Sequence, residues 1–183
     1  MNQHIDECHL TKKIIYINSS NVETTKFVGT NFEFAYDLLD SIRDVVYIKL
    51  MKTEIILNPS TSINSVAVAD GDPIYISLKR YDRVYVNNQG ANMKVFEVIP
   101  LNITDKYGLS TVNQNVLFKT EYAGTGCNIN DTNMYVLDPI EPNLKRVDVV
   151  LMDKSFNVIQ KTSIKNFTMT LCVYSAKKKM TRS

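Results

Sequence analysis

One eight-residue segment near the end of the chain alternates apolar and polar residues without interruption. In residues 166–173, Phe167, Met169, Leu171 and Val173 occupy every second position, and Asn, Thr, Thr and Cys lie between them. Successive side chains of a β-strand point to opposite faces of its sheet, so this period places the four apolar residues on one face. The segment therefore predicts a strand with one face buried in a core.

The same period of two recurs along the chain. Residues 74–78 and 146–151 alternate in this way, and each predicts a further strand. About ten strands separated by turn signals are typical of an antiparallel β-sandwich or barrel, so we expect an all-β fold. The other β-rich runs are residues 13–17, 32–36, 45–57, 84–86, 93–101, 116–120 and 134–137.

Short segments between these runs contain the residues that turns require. Gly71 and Pro73 predict a turn followed directly by a strand, because glycine tolerates positive φ and proline is permitted at the first position of a strand. Residues 153–157 predict a hairpin, and two prolines make residues 138–143 a stiff connector. Helical spacing of apolar residues occurs only in residues 35–43, where one or two helical turns are expected.

The composition is that of an ordinary globular domain. The 183 residues suit one domain with a substantial core, and the hydrophobic fraction of 44% and charged fraction of 22% are average. A net charge of +2 is too small to indicate a nucleic-acid or membrane partner by itself. No run approaches the length of a membrane span, and the first residues lack the pattern of a secretory signal.

Residues that usually carry catalysis or bind metals are few. Cys8, Cys127 and Cys172 match no zinc or redox spacing, and three cysteines cannot all pair within one chain. The histidines, His4 and His9, both lie in the first ten residues, where the preorganised geometry of a triad or a zinc site is not expected. We therefore predict no catalytic residue, no cofactor and no metal, and folding in a reducing compartment.

Two pairs of carboxylates have an alternative chemical use. Asp70 with Asp72, and Asp138 with Glu141, could bind calcium or act in acid–base catalysis. Each pair lies beside glycine or proline in a turn, where aspartate commonly accepts hydrogen bonds from its own backbone. The structural role is therefore favoured.

Two segments contain several basic residues that could contact an acidic partner. Residues 79–85 interleave basic and aromatic side chains, a pattern that can hold single-stranded nucleic acid, but a solvated strand edge gives the same pattern and is favoured. The candidate partner-contact residues are in the tail, which we interpret as solubilising, although a mobile basic end would also suit an acidic partner such as a genome or an inner membrane. They are Lys177, Lys178, Lys179 and Arg182.

Three stretches of the chain carry a resemblance to a known family. They are residues 31–59, with a strand pattern at 42–50, residues 72–78, and residues 139–153 together with 167–171. Their order resembles the single jelly-roll capsid proteins of large icosahedral double-stranded DNA viruses of the nucleocytoplasmic group, particularly their pentons and minor capsid proteins. The likeness spans residues 30–174. It departs from the family at residues 154–157, where the family often has a glycine in the closing hairpin.

The resemblance implies a single jelly-roll antiparallel β-sandwich of two sheets with about four strands each. This domain is expected to span residues 30–175, after an N-terminal arm and first strand in residues 1–29 and before a basic tail in residues 176–183. The residues expected to face the core are Ile48, Leu50, Val147, Val149, Leu151, Phe167, Met169 and Leu171.

The resemblance also implies a structural, non-enzymatic role in the virion, for a protein made in the host cytoplasm. The first expectation is a penton protein that forms the five-fold vertex as a homopentamer, with copies of itself and other capsid proteins as partners and no small-molecule substrate. The alternative within the family is a minor capsid (cement) protein that links major capsomers. A carbohydrate- or peptide-binding β-sandwich module stays open as another class, since ten tyrosines offer aromatic surface even without tryptophan.

Overall fold

The computed structural model describes residues 10–58, 62–69, 71–88, 90–101, 111–112 and 134–176, and these residues form strands and short 3-10 turns with no α-helix. The predicted all-β fold is confirmed. The strands are β1 (Leu10–Asn18), β2 (Glu33–Leu57), β3 (Ser62–Ile63), β4 (Val66–Ala67), β5 (Pro73–Ser77), β6 (Val84–Asn88), β7 (Ala91–Val95), β8 (Glu97–Pro100), β9 (Thr111–Val112), β10 (Met134–Met152) and β11 (Ile164–Ala176).

Two strands are long enough to run through both sheets of the fold. β2 has 25 residues and β10 has 19. Residues 33–43 of β2 pair with residues 143–150 of β10, whereas residues 45–57 of β2 pair with β11. The two parts of β2 meet at Asp44, which has a φ of +52°. β2 therefore belongs to one sheet before Asp44 and to the other sheet after it.

β10 changes sheets at the same corner. Its register against β2 shifts between Val136 and Glu141, and the intervening Asp138–Pro139 peptide is cis. The expectation that residues 138–143 form a connector between two elements is therefore wrong, because they lie inside one strand. Proline is tolerated there because the ladder of hydrogen bonds is already interrupted at a bend.

The helical turns expected in residues 35–43 are also absent, and that prediction is wrong. Ala35 pairs with Asp148 and Ile42 pairs with Leu144, so the segment is an antiparallel strand. Leu39 is fully exposed, so the helical apolar stripe does not form. Pairing with β10 supplies packing that a local spacing of three leucine or isoleucine residues cannot match.

Hydrogen bonding joins β1, β11, β2, β10, β5 and β8 in this order into one antiparallel sheet. The bends of β2 and β10 divide it into two parts of four segments each, which we call the first and the second sheet. The first sheet is ordered β1, β11, residues 45–57 of β2, and the start of β10. The second sheet is ordered residues 33–43 of β2, the rest of β10, β5 and β8. Eight segments in these two sheets, with β2 and β10 both crossing at one corner, form a single jelly roll, as expected. β9 also pairs with β2, at Ile55 and Ile56.

The core lies between these two sheets and contains side chains from both. The ring of Phe167, in β11 of the first sheet, lies 6.4 Å from that of Phe34, in β2 of the second sheet, and 6.0 Å from that of Phe32. The predicted core is confirmed, since each member is at most 1% exposed and lies in one cluster: Ile48, Leu50, Val147, Val149, Leu151, Phe167, Met169 and Leu171.

Apolar clusters also lie on the outer faces of both sheets. Hairpin β6–β7 packs Val84, Val86 and Met93 around Tyr75 and Met152, on the outer face of the second sheet. On the outer face of the first sheet, Tyr47 and Tyr174 pack edge to face beside the buried Cys172. The strand alternation of 166–173 predicted the outward direction of Cys172 but not its burial.

The turns next to the second sheet follow the sequence. Gly71 has a φ of +84° and Pro73 begins β5, as predicted. The predicted hairpin at residues 153–157 is confirmed, since Asp153 N donates to Asn157 O at 2.9 Å and Met152 pairs with Val158. Phe156 takes a φ of +64° in this hairpin.

Candidate functional site

The basic and aromatic segment at residues 79–85 forms a 3-10 turn, Lys79–Tyr81, followed by the start of β6. Lys79 begins the turn with a φ of +53°. The favoured interpretation of the whole segment as a solvated strand edge is therefore wrong. Alternation of side chains along a strand begins only at Val84, so the residues before it are placed by the turn.

Three basic side chains of residues 79–83 each form an ion pair with a glutamate from a different strand. Single-stranded nucleic acid requires cations that are available to its phosphates. The glutamates neutralise this positive charge. The three ion pairs therefore serve to hold the turn against the sheet rather than to bind nucleic acid. The N–O distances are 2.6 Å for Lys79 and Glu33, 3.4 Å for Arg80 and Glu141, and 3.7 Å for Arg83 and Glu97.

Asp82 fixes the base of the β6–β7 hairpin to β5. Its two carboxylate oxygens accept hydrogen bonds from Ser77 Oγ at 2.5 Å and from Leu78 N at 2.7 Å. Burial raises the pKa of Asp82, and the two hydrogen bonds and the charge of Lys94 oppose this rise. The hairpin therefore starts from a partly buried carboxylate whose oxygens both face the protein.

Tyr81 links the same turn to β10. Its hydroxyl donates to Glu141 Oε2 at 3.0 Å and accepts from Arg80 Nη2 at 3.2 Å. Burial, and then the hydrogen bond to Glu141, hold the pKa of this phenol above its usual range. Tyr81 is thus a neutral, buried donor that positions Glu141 at the bend of β10.

The outward face of the hairpin, which we call the hairpin face, consists of Tyr85, Asn87, Asn92 and Lys94. Tyr85 pairs with Lys94 and Asn87 pairs with Asn92 across the two strands. Tyr85 is 80% exposed, and the Lys94 ammonium lies 5.2 Å from the centre of its ring. Asn87 Nδ2 donates to Asn92 Oδ1 at 2.8 Å. The four residues present an aromatic ring, two amides and one cation to solvent.

The turn carboxylates are held by the backbone and by neighbouring side chains. Asp72 Oδ2 accepts from Ala69 N at 3.0 Å and from Lys154 Nζ at 2.9 Å. These two hydrogen bonds hold the pKa of Asp72 below its usual range. Glu141 binds Tyr81, as above. Among the residues with described placement, no group of three His, Cys, Asp or Glu side chains could hold a metal ion.

A small cavity of about 60 Å³ lies beside Asp72, between the β3–β4 hairpin and the 153–157 turn. Its apolar lining includes Ile63, Val66 and Leu101, and Lys154 lines it as well. This volume is far below the roughly 300–1,000 Å³ of pockets that hold small-molecule ligands. We therefore assign it to the packing of the loops.

The structure describes only some of the residues that the sequence singled out. The hairpin face is the surface that sequence reasoning missed, although the polar loop at 87–90 between two β-rich runs was the signal for a hairpin there. The tail candidates Lys177, Lys178, Lys179 and Arg182 lie outside the described residues, as do Cys8, Cys127, His4, His9, Asp70 and the strand predicted at 116–120.

Comparison with known proteins gives no match for this chain, either among protein-family models or among curated protein sequences. In the part of the chain with described placement, no helix is long and apolar enough to cross a membrane.

Proposed function

We propose that this chain is a structural shell protein, a capsid component of a large double-stranded DNA virus, with the five-fold penton as the first choice. The single observation that carries the proposal is the jelly roll of two four-stranded sheets, with β2 and β10 each crossing between the sheets. It agrees with the fold that the resemblance in the sequence implies, and a virion shell is where that family acts.

The surface of the first sheet also supports assembly. β1 pairs with β11 at nine consecutive positions without a bulge, and it forms the end of the sheet order. Ile14 and Tyr16, on its outward face, are each more than half exposed. A long, regular edge strand with apolar side chains is a surface to which another chain can add.

A ring of identical copies requires contacts between two different surfaces of the chain. Leu39 offers a second exposed apolar side chain, on the bulged edge of the second sheet. Together with β1, it gives the chain apolar contact points on both sheets. A minor capsid protein would use such points on larger capsomers instead of on its own copies.

The test is the mass of the purified full-length protein in native mass spectrometry, followed by electron microscopy of the particles. A penton should give a species of about 105 kDa, five times the 20.9 kDa of one chain, and five-fold rings in micrographs. A monomer that joins purified capsomers would support the minor capsid alternative. A stable monomer that never enters particles would contradict both.

Variants with altered contact points sharpen this test. Ile14→Asp and Leu39→Asp each place a charge at an exposed apolar position, so they should weaken assembly without unfolding the chain. Tyr85→Asp is the matched control, because Tyr85 is more exposed than Ile14 but lies on neither contact point. Equal masses for all three variants and the wild type would show that these apolar positions do not carry the assembly.

A further inference from the structure

The hairpin face combines three kinds of group that recognise sugars. An exposed tyrosine ring offers a flat apolar face that can stack on the C–H face of a pyranose. Each asparagine amide carries both donors and an acceptor for hydroxyl groups. One hydrogen bond joins Asn87 Nδ2 to Asn92 Oδ1. Among the described residues, none forms a hydrogen bond with Asn87 Oδ1 or Asn92 Nδ2.

The spacing of these groups suits one sugar ring with its substituents. The pair Tyr85 and Lys94 lies two residues along the hairpin from the pair Asn87 and Asn92. Two residues along a strand span about 7 Å. A single pyranose stacked on Tyr85 could therefore reach the amide pair through its hydroxyl groups.

The hairpin face is held firmly from behind. Val86 and Met93 point to the opposite side of the hairpin and pack on Tyr75 and Met152 of the second sheet. The ion pair of Arg83 with Glu97 fixes the hairpin at its base. A preorganised surface loses less conformational freedom when it binds a ligand.

We propose that the hairpin face is a binding site for an acidic sugar, with the ring on Tyr85, hydroxyl groups on the asparagine amides and the carboxylate on Lys94. The positive charge of the hairpin face favours a sugar that carries a carboxylate. Lys94 is its one charged member, and Asp82 at the base of the hairpin directs both carboxylate oxygens to Ser77 and Leu78. The site is independent of the proposed shell function, since it needs no second copy of the chain.

A nucleic-acid strand fits this face less well than a sugar does. Binding a strand requires several cations along the backbone and several stacking rings. Here the neighbouring Arg80 and Arg83 are paired with glutamates, and the face has a single exposed ring. One cation and one ring match a single acidic monosaccharide unit.

The test is ligand-observed saturation-transfer NMR on the full-length protein. The probes are N-acetylneuraminic acid and glucuronic acid, with glucose, galactose and an oligothymidylate as comparisons. Tyr85→Ala should weaken binding of the acidic sugars about two- to tenfold, and Lys94→Gln about two- to fivefold. Val28→Ala is the control, because it removes a half-exposed apolar side chain that lies outside both the hairpin face and β1, and it should leave sugar binding unchanged.

Loss of binding in Tyr85→Ala but not in Val28→Ala, with folding confirmed by circular dichroism, would support the site. Three results would overturn it: no transfer from the acidic sugars at tens of millimolar, equal effects of Tyr85→Ala and Val28→Ala, or tighter binding of the oligothymidylate. Neutral sugars that bind as well as the acidic ones, and are insensitive to Lys94→Gln, would overturn the acidic assignment. None of these results depends on whether the chain assembles.

Discussion

Phe167 is the residue through which the two sheets make their clearest aromatic contact. It is fully buried in β11, and its ring packs edge to face on Phe32 and Phe34. A cluster of this kind contributes both buried area and specific ring geometry. Removing it leaves a cavity between the sheets that flanking strands cannot readily fill.

We predict that Phe167→Ala lowers the free energy of unfolding by about 3–5 kcal/mol, the usual cost of deleting a buried phenylalanine ring. Urea unfolding followed by far-UV circular dichroism measures this change. Leu39→Ala is the control, because Leu39 is fully exposed and its loss should change stability by less than about 0.5 kcal/mol. Similar losses in the two variants would contradict the assigned core.

Asp82 and Asp72 have pKa values displaced in opposite directions. Burial raises the pKa of Asp82, so the folded state binds its proton more readily than the unfolded state does. Its contribution therefore favours folding below about pH 3.8 and is lost as the pH rises through the folded pKa. The pKa of Asp72 is lowered by the amide of Ala69 and by Lys154, so its contribution is present above about pH 3.8 and is lost as the pH falls.

We predict that Asp82→Asn is at least as stable as the wild type at pH 7. Asparagine can still accept from Leu78 N and can donate to Ser77 Oγ, and it removes the cost of the buried charge. Asp72→Asn should be less stable than the wild type at pH 7, because it loses a charge-assisted bond to Lys154.

Urea unfolding at several pH values between 3 and 7 tests both predicted changes in stability. The difference in unfolding free energy between each variant and the wild type should shrink toward acidic pH, since the wild-type carboxylates become neutral there. Asp82→Asn variants that lose stability at every pH would contradict the assigned origin of the pKa rise.

At the scale of elements, the sequence predicted which segments form strands better than it predicted where those strands begin and end. The alternation in residues 166–173 and 146–151 identified parts of β11 and β10 correctly, because one face of each is buried. The continuity of β2 through residues 35–43 could not be read locally. Its partners on β10 lie about a hundred residues away, and only they make an extended conformation favourable.

The hairpin face shows the same limit at the candidate site. The strand at residues 84–86 was predicted, but the partner strand was placed at residues 93–101 as one run. The structure divides this run at Phe96, which is fully buried, into β7 and β8. β7 turns back on β6, and this pairing is what puts Lys94 opposite Tyr85.

The β3–β4 hairpin is joined to the 153–157 turn by one side chain. Asn64 Nδ2 donates to Asp153 Oδ2 at 3.0 Å and to Val158 O at 3.2 Å, and Asn64 Oδ1 accepts from Gln160 N at 2.8 Å. Asn64 itself has a φ of +52°, a region that asparagine tolerates better than most residues. Both its backbone and its amide therefore suit this position.

We predict that Asn64→Gly lowers the free energy of unfolding by about 1–3 kcal/mol, because it loses these hydrogen bonds but keeps the backbone geometry. Asn64→Ala should cost about 1 kcal/mol more, because alanine also resists positive φ. Thermal or urea unfolding of the two variants separates these effects. Equal stability of both variants and the wild type would mean that the amide does not hold the two loops together.

At the scale of the whole molecule, β2 and β10 contribute to both sheets, so neither sheet can be completed without the other. The core cluster likewise takes side chains from both sheets. We therefore expect the jelly roll to unfold as one cooperative unit.

Urea unfolding followed by far-UV circular dichroism and by tyrosine fluorescence should give the same midpoint. The fluorescence reports tyrosine alone, because the chain contains no tryptophan. Thermal unfolding by the two probes should also coincide. Separate midpoints would indicate that one sheet melts before the other.

The crossing strands also determine how the molecule carries mechanical load. A force that pulls on β11 reaches β2 through their ladder, and it then passes around the corner at Asp44 along covalent bonds. β10 gives a second covalent route at the same corner. Shear between the layers is therefore resisted by the backbone as well as by interdigitated side chains.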